Sequence, residues 1–136
     1  MNPEAVNALL RNRRSIFPKD YTGEKVDDVI IHQMLENANW APTHKFTEPW
    51  RFIVFTGEGL KKLGSIQSGL YEKKSKAEGT FDETKYNNLL TKPLESSHII
   101  LVYMKRDERK SVPEVEELGS TFIAVQNMHL TAAAHG

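Results

Sequence analysis

Residues 40–56 read WAPTHKFTEPWRFIVFT, and the two parts of this stretch obey different rules. From Trp50 to Thr56 the chain is aromatic and β-branched, bounded by Pro49 and Gly57, the signature of a buried strand. From Trp40 to Pro49, two prolines punctuate a loop that also carries a tryptophan and a histidine. Loops so rich in aromatics and rigid turns line planar-ligand pockets more often than they merely connect elements. Trp40 and Trp50 can each serve as a pocket wall or a core anchor, with Trp50 expected in the core. His44 lies outside regular structure with donor capacity near neutral pH, and its residue type alone leaves its role open.

Working outward, Asn2-Pro3 reads as a helix start, with Val6, Leu9 and Leu10 on one stripe before the basic cluster Arg11, Arg13 and Arg14. Ser15 to Gly23 reads as loop. A second helix is expected from about Glu24 to Ala38. Its two adjacent stripes (Val26, Val29, Ile30, Met34 and Ile31, Leu35, Ala38) suggest burial on more than one side. Beyond the strand, a weaker helical pattern covers Gly59 to about Lys76, a polar and mobile connection covers Ala77 to Thr84, and a short helix covers Lys85 to Leu90. Ser97 to Lys105 carries the continuous apolar run of a central strand. Ser111 and Glu114 match the S-x-x-E capping box ahead of a long helix. There Val115, Leu118, Phe122, Val125, His129 and Ala132 recur at helical spacing, a stripe expected in the core or at a subunit interface. Two strands make a poor sheet by themselves, so either a partner completes it or the chain is the N-terminal part of a longer protein.

Composition narrows the function. The chain has 136 residues, with 18 Lys+Arg against 18 Asp+Glu, and this zero net charge argues against retention on nucleic acid or an anionic membrane. Hydrophobic residues at 39% are lean against the usual value of about 45–50%, which hints at burial against a partner subunit. With no cysteine, disulfides, thiolate metal sites and cysteine nucleophiles are excluded. His32, His44, His98, His129 and His135 show no metal-ligand spacing, and no metal is expected. No apolar run reaches the roughly 18 residues of a membrane span. A soluble, cytoplasmic protein is the expectation.

One further constellation stands out. Arg13-Arg14-Ser15, at a helix end, offers two guanidiniums and a hydroxyl, a donor set suited to a phosphate monoester. The same arginines also suit the negative end of a helix dipole.

In order, Arg13-Arg14-Ser15 after a first helix, Trp40-Ala41-Pro42-Thr43-His44 after a second, and Glu48-Pro49-Trp50-Arg51-Phe52 entering a strand resemble the nitroreductase family of FMN-dependent oxidoreductases. The nearest branch is the small, single-domain bacterial one with an Ala-Pro-x-His loop. The resemblance runs from about Val6 to Gly136, and residues 126–136 are similar to the family's alanine-rich central helix. It implies an α+β fold, a central antiparallel-type sheet packed with helices, in an intertwined homodimer with one FMN at each of two subunit interfaces. By the same match, Arg13, Arg14 and Ser15 hold the FMN phosphate and ribityl chain from one subunit. Trp40 and His44 approach that flavin from the other. Thr131, Ala132, Ala133, Ala134, His135 and Gly136 match a segment near the nicotinamide cofactor and flavin. NADH or NADPH would be the electron donor and a nitroaromatic, quinone or similar small molecule the acceptor. The flavin carries the chemistry, so no side chain is needed as catalytic acid or base.

The sequence departs from the family pattern at Phe17, where many relatives carry a cation, and at Phe46 and Glu48, where many have Asn and Gln. The family also continues past the position of Gly136, so residues 1–136 are expected to be a single nitroreductase-like domain lacking its C-terminal portion. Two other readings fit the residues: an FMN-binding protein that stores or senses flavin without fast turnover, and a helical dimerisation module.

Overall fold

The computed structural model describes residues 2–136. In chain order it contains α1 (Pro3–Asn12), α2 (Asp28–Ala38), β1 (Trp50–Thr56), α3 (Glu58–Glu78), α4 (Glu83–Thr91), β2 (His98–Met104) and α5 (Glu114–His135). Short 3-10 turns cover Pro18–Asp20, His44–Phe46 and Lys92–Glu95. The two strands form one antiparallel sheet: Lys105 donates its amide to Pro49 O at 2.8 Å, and Thr56 Oγ1 donates to Ser97 O at 3.2 Å. β2 has β1 as its one neighbour among the described residues, with Leu101 and Tyr103 more than 40% exposed, so the expected central strand is an edge here.

The chain divides into two compact units. The first comprises residues up to Ser15, Asp27–Ile53 and Val102–Gly136. Its core is α2 against α5, with Ile31, Ala38, Ala41, Trp50, Ala124 and Met128 buried. α1 starts as the sequence requires, Asn2 Oδ1 accepting the Glu4 amide at 2.9 Å, but it buries none of its residues. α2 begins at Asp28 rather than Glu24, because the Asp27 carboxylate takes the N-cap position and accepts the Val29 amide at 2.9 Å. Only one of its two apolar stripes is inside. Ile31 and Ala38 are buried, whereas Val29 is exposed.

α5 shows the largest departure. Its inner face consists of Glu117, Ser120, Thr121, Ala124, Met128 and Thr131, mostly small or polar. Small side chains let α2 approach closely, and the two threonine hydroxyls are satisfied within the helix: Thr121 Oγ1 donates to Glu117 O and Thr131 Oγ1 to Asn127 O. The apolar stripe lies roughly a third of a turn away at 3.6 residues per turn. There Val115 is 73%, Leu118 42% and Phe122 66% exposed. The expected capping box does not form. Ser111 instead donates its hydroxyl and amide to Asp107 Oδ2, at 2.8 and 3.2 Å, and α5 starts after Pro113 without a side-chain cap.

The second unit, Ile16–Val26 with Val54–Leu101, pairs α3 with α4. The connection expected to be mobile is a capped turn. Gly79 closes α3 in the left-handed region (φ 69°), and the Asp82 carboxylate accepts the Lys85 amide to open α4. Tyr71, Phe81 and Tyr86 pack ring to ring beside it, with Lys76 over Phe81 and Lys85 over Tyr71.

Candidate functional site

The candidate cofactor-binding residues Arg13, Arg14, Ser15, Trp40, His44 and 131–136 fall in the first unit, and α5 is the rod along which most of them are arranged. α2 and the loop that follows it run antiparallel to α5, joined by a ladder of polar contacts. His135 Nε2 meets Gln33 Oε1 at 2.9 Å. Asn37 Nδ2 donates to Thr131 Oγ1 at 2.8 Å, and Asn127 Nδ2 donates to Asn37 O at 3.1 Å. Past the end of α2, His44 Nδ1 meets Glu116 Oε2 at 2.6 Å.

The ladder sorts the site residues. Thr131 is buried, its hydroxyl occupied by Asn37 and Asn127, while Ala132 and Ala133 are half-buried and Ala134, His135 and Gly136 exposed. Trp40 is 78% exposed and, with Asn37, Asn127, Leu130 and Thr131, borders an open depression of about 250 Å³. Trp50, 4% exposed, donates its indole N–H to Asn39 Oδ1 at 3.0 Å and is the core anchor of the pair. Trp40 and Thr131 therefore share a surface. His44 does not join them: it pairs at Glu116, fifteen residues up α5 from Thr131, about 22 Å at 1.5 Å per residue.

At the end of α1 the two arginines behave differently. Arg14 Nη1 donates to Arg11 O at 2.5 Å and to Arg13 O at 2.9 Å, so it caps the C-terminal carbonyls of its own helix. Arg13 is the C-cap residue, half-buried, and its guanidinium has no hydrogen-bond or ion-pair partner among the described residues. Ser15 is exposed. No hydrogen bond or ion pair links these three residues to Trp40 or His44 among the described residues.

The loop between α2 and β1 is held in an unusual shape. Lys45, Phe46 and Glu48 all have positive φ (54°, 53° and 40°), a region costly for residues with a side chain. It is fixed by the Glu48 amide donating to Thr43 Oγ1, Arg51 Nη1 donating to Glu48 O and Lys45 Nζ donating to Ser111 O. Phe46 is left 87% exposed.

Behind it sits a charged cluster. Glu117, with a fully buried carboxylate, accepts from Arg106 Nε at 2.7 Å and from the Asp107 amide at 2.8 Å. Arg106 also donates to Val112 O and meets Glu114 at 3.3 Å, and its bond to Glu117 holds it above the usual guanidinium range. Asp107 is held below the ordinary carboxylate value by the Ser111 hydroxyl and amide.

Glu116, Glu117, Asn37 and Asn127 were not foreseen as partners. The i, i+4 pair Asn127 and Thr131, two hydrogen-bonding side chains on one face of α5, was the available signal for the ladder. No group of His, Asp or Glu that could hold a metal occurs among the described residues. No helix is long and apolar enough to cross a membrane among them.

The nitroreductase family model matches residues 10–136. This chain belongs to the nitroreductase family. It is 33% identical over 128 residues to the Bacillus subtilis protein named "Putative NAD(P)H nitroreductase YfhC", spanning 94% of this chain and 63% of that relative. The like-named YdjA of Escherichia coli is 32% identical over 131 residues, spanning 94% of this chain and 66% of its own length. The chain thus spans just under two-thirds of the length of these two relatives. Among solved structures, a nitroreductase-like family protein of Bacillus cereus superposes with TM-score 0.75 at 26% identity, covering all of this chain and 68% of the other. A Desulfovibrio desulfuricans protein described as a "putative nitroreductase in complex with fmn" gives TM-score 0.67 at 27% identity over 98% of this chain and 64% of the other. The nitroreductase fold is therefore shared along the whole chain, including the α2–α5 pair that carries the ladder.

Proposed function

We propose that this nitroreductase-family chain is an FMN-dependent oxidoreductase. It would take hydride from NADH or NADPH and pass electrons to a nitroaromatic, quinone or similar small acceptor. The relatives named NAD(P)H nitroreductases and the FMN-bound structural neighbour support this reading. The observation that carries it is a pair of uncommitted groups: the Arg13 guanidinium, without a partner among the described residues, and the Trp40 indole, 78% exposed. A phosphate dianion calls for the first and an isoalloxazine ring for a flat wall such as the second. When bound, FMN supplies the hydride and electron chemistry. The chain's residues would position it, with Arg13 and Ser15 on the phosphate and ribityl end and Trp40 and His44 at the ring. The segment Thr131, Ala132, Ala133, Ala134, His135 and Gly136 would shape the surrounding wall. Arg14 contributes less directly, by capping α1 and fixing the backbone that carries Arg13 and Ser15.

The site is proposed to be assembled from two copies in a homodimer in the cytoplasm. Support comes from the lack of any hydrogen bond or ion pair between Arg13 or Ser15 and Trp40 or His44 among the described residues, and from the exposed stripe Val115, Leu118 and Phe122, an apolar surface suited to a second subunit. The experiment is a mixed dimer of Arg13→Ala and His44→Ala subunits, titrated with FMN. One intact and one doubly damaged site is the expected result; two equally half-damaged sites would place the site within one chain. Anaerobic bleaching of the flavin absorbance by NADH or NADPH tests turnover, and tight FMN binding without bleaching would favour storage.

A further inference from the structure

We propose that Glu116 is a positioning residue for His44: it holds the proton on Nδ1 and thereby presents Nε2 outward as the atom that meets the bound cofactor. The inference rests on the reading above that His44 approaches FMN, and it adds the group through which His44 is set.

The argument begins with three carboxylates in the first turn of α5, Glu114, Glu116 and Glu117. Arg106 takes two of them, Glu117 at 2.7 Å and Glu114 at 3.3 Å. Glu116 alone turns to His44, with Oε2 2.6 Å from Nδ1, across 72 residues of sequence. Lys45, the charged residue next to His44 in the chain, is engaged elsewhere, its Nζ donating to Ser111 O.

An ionised carboxylate can only accept, so the hydrogen in a 2.6 Å contact lies on Nδ1. A neutral imidazole has one N–H, and Nε2 is then left with its lone pair; in the imidazolium, Nε2 carries a donor instead. Either way Glu116 decides which ring atom is free. It also restricts the ring torsion, since the His44 side chain is 55% exposed and Glu116 is its one hydrogen-bond or ion-pair partner among the described residues. An unrestrained histidine favours the opposite tautomer, with the hydrogen on Nε2. Orientation of a ligand-contacting histidine by a carboxylate behind it is a recurrent device, because it removes rotational freedom before binding.

The test is made on the 15N-labelled chain. Long-range 1H–15N spectra above the histidine titration range report which ring nitrogen of His44 carries the hydrogen, with no cofactor present. The wild type is expected to show His44 with Nδ1 protonated. Glu116→Ala should shift it toward the Nε2-protonated form, and Glu116→Gln, which keeps an acceptor oxygen, should largely restore the wild-type pattern. FMN titration then should show Glu116→Ala weakened roughly threefold to tenfold, the scale of one exposed charge-assisted contact, with no further loss in the Glu116→Ala, His44→Ala double variant beyond His44→Ala. An Nε2-protonated His44 in the wild type overturns the proposal without any variant. Weak FMN binding by His44→Ala together with wild-type binding by Glu116→Ala overturns the positioning role and leaves the flavin reading intact. Full FMN affinity in His44→Ala overturns both.

Discussion

Arg106 and Glu117 form a half-covered ion pair in which the cation is 28% exposed and the carboxylate is fully buried, Nε to Oε2 2.7 Å. The asymmetry makes the two partners unequal. Arg106→Met strands a carboxylate in the core with only the Asp107 amide to serve it, a situation that costs on the order of 3–5 kcal/mol in buried pairs. Glu117→Gln keeps an acceptor for that amide and leaves Arg106 able to reach water and Glu114. Thermal or urea melts should therefore place Arg106→Met well below Glu117→Gln. An inverted order would mean that the pair is not what holds the 105–113 loop to α5.

Two glycines in α3 should respond to the same substitution with opposite sign. A Cβ on Gly64 would run into the backbone carbonyl of Leu90, so Gly64→Ala must push α4 off α3, at about 1–3 kcal/mol for overpacking. Gly69 has nothing within 4 Å, so Gly69→Ala should gain about 0.5–1 kcal/mol from helix propensity. Melting temperatures of the two variants check this. A neutral Gly64→Ala would show that the helices separate freely.

The two strands and the length of α5 were legible because runs such as Phe52 to Phe55 and Ile99 to Tyr103 allow few alternatives. The face of α5 was not. A period of 3.6 locates the stripe Val115, Leu118 and Phe122 but does not say whether α2 or another surface covers it. The face that α2 does cover is polar, made compatible with burial by hydrogen bonds such as Asn37 to Thr131. The capping box at Ser111 failed for a local reason, since Asp107 competes for the same serine. In the candidate site, Arg13-Arg14-Ser15 and Trp40 were readable as residue types, whereas the division of labour between the arginines depends on backbone carbonyls. The His44–Glu116 contact spans 72 positions, and no spacing rule reaches that far.

Arg13 and Arg14 should therefore separate under mutation. Arg13→Ala removes a free guanidinium, and loss of a charge-assisted contact of roughly 1.5–3 kcal/mol should weaken FMN binding by about one to two decades. Its melting temperature should barely change. Arg14→Ala uncaps α1, whose carbonyls at Arg11 and Arg13 it serves, and should lower helix content or stability with a smaller effect on FMN. Equilibrium dialysis with FMN beside circular dichroism melts decides. If Arg14→Ala loses more FMN affinity than Arg13→Ala, the roles are reversed.

Asp107 predicts how the fold responds to acid. Its carboxyl is held below the ordinary value of 3.8 by Ser111, so its folded pKa is depressed relative to the unfolded chain. A group of that kind contributes stability that is present above the unfolded value and lost as pH falls through the folded one. The stability gap between wild type and Asp107→Asn should then be full at pH 6 and shrink as the pH drops below about 3.8. Ser111→Ala should move the Asp107 titration, followed by NMR, upward toward the ordinary value. A gap that stays constant down to pH 3 would show that Ser111 does not stabilise the charged form.

Phe122 tests the proposed assembly. Its ring is 66% exposed in the stripe it forms with Val115 and Leu118, so within one chain it has little to lose. Phe122→Glu should leave secondary structure unchanged yet put a charge where a second copy of α5 or its surroundings would pack. Aromatic anchors at the centre of an interface carry about 2–4 kcal/mol, so dimerisation should weaken by at least one to two decades. Sedimentation velocity across a concentration series reads the shift from dimer to monomer. FMN binding should fall in parallel if each site draws residues from both copies, although Phe122 itself is not among the proposed ligands. A Phe122→Glu variant that stays dimeric, or a wild type that is monomeric at concentrations where it binds FMN, would show that this stripe is not the subunit contact.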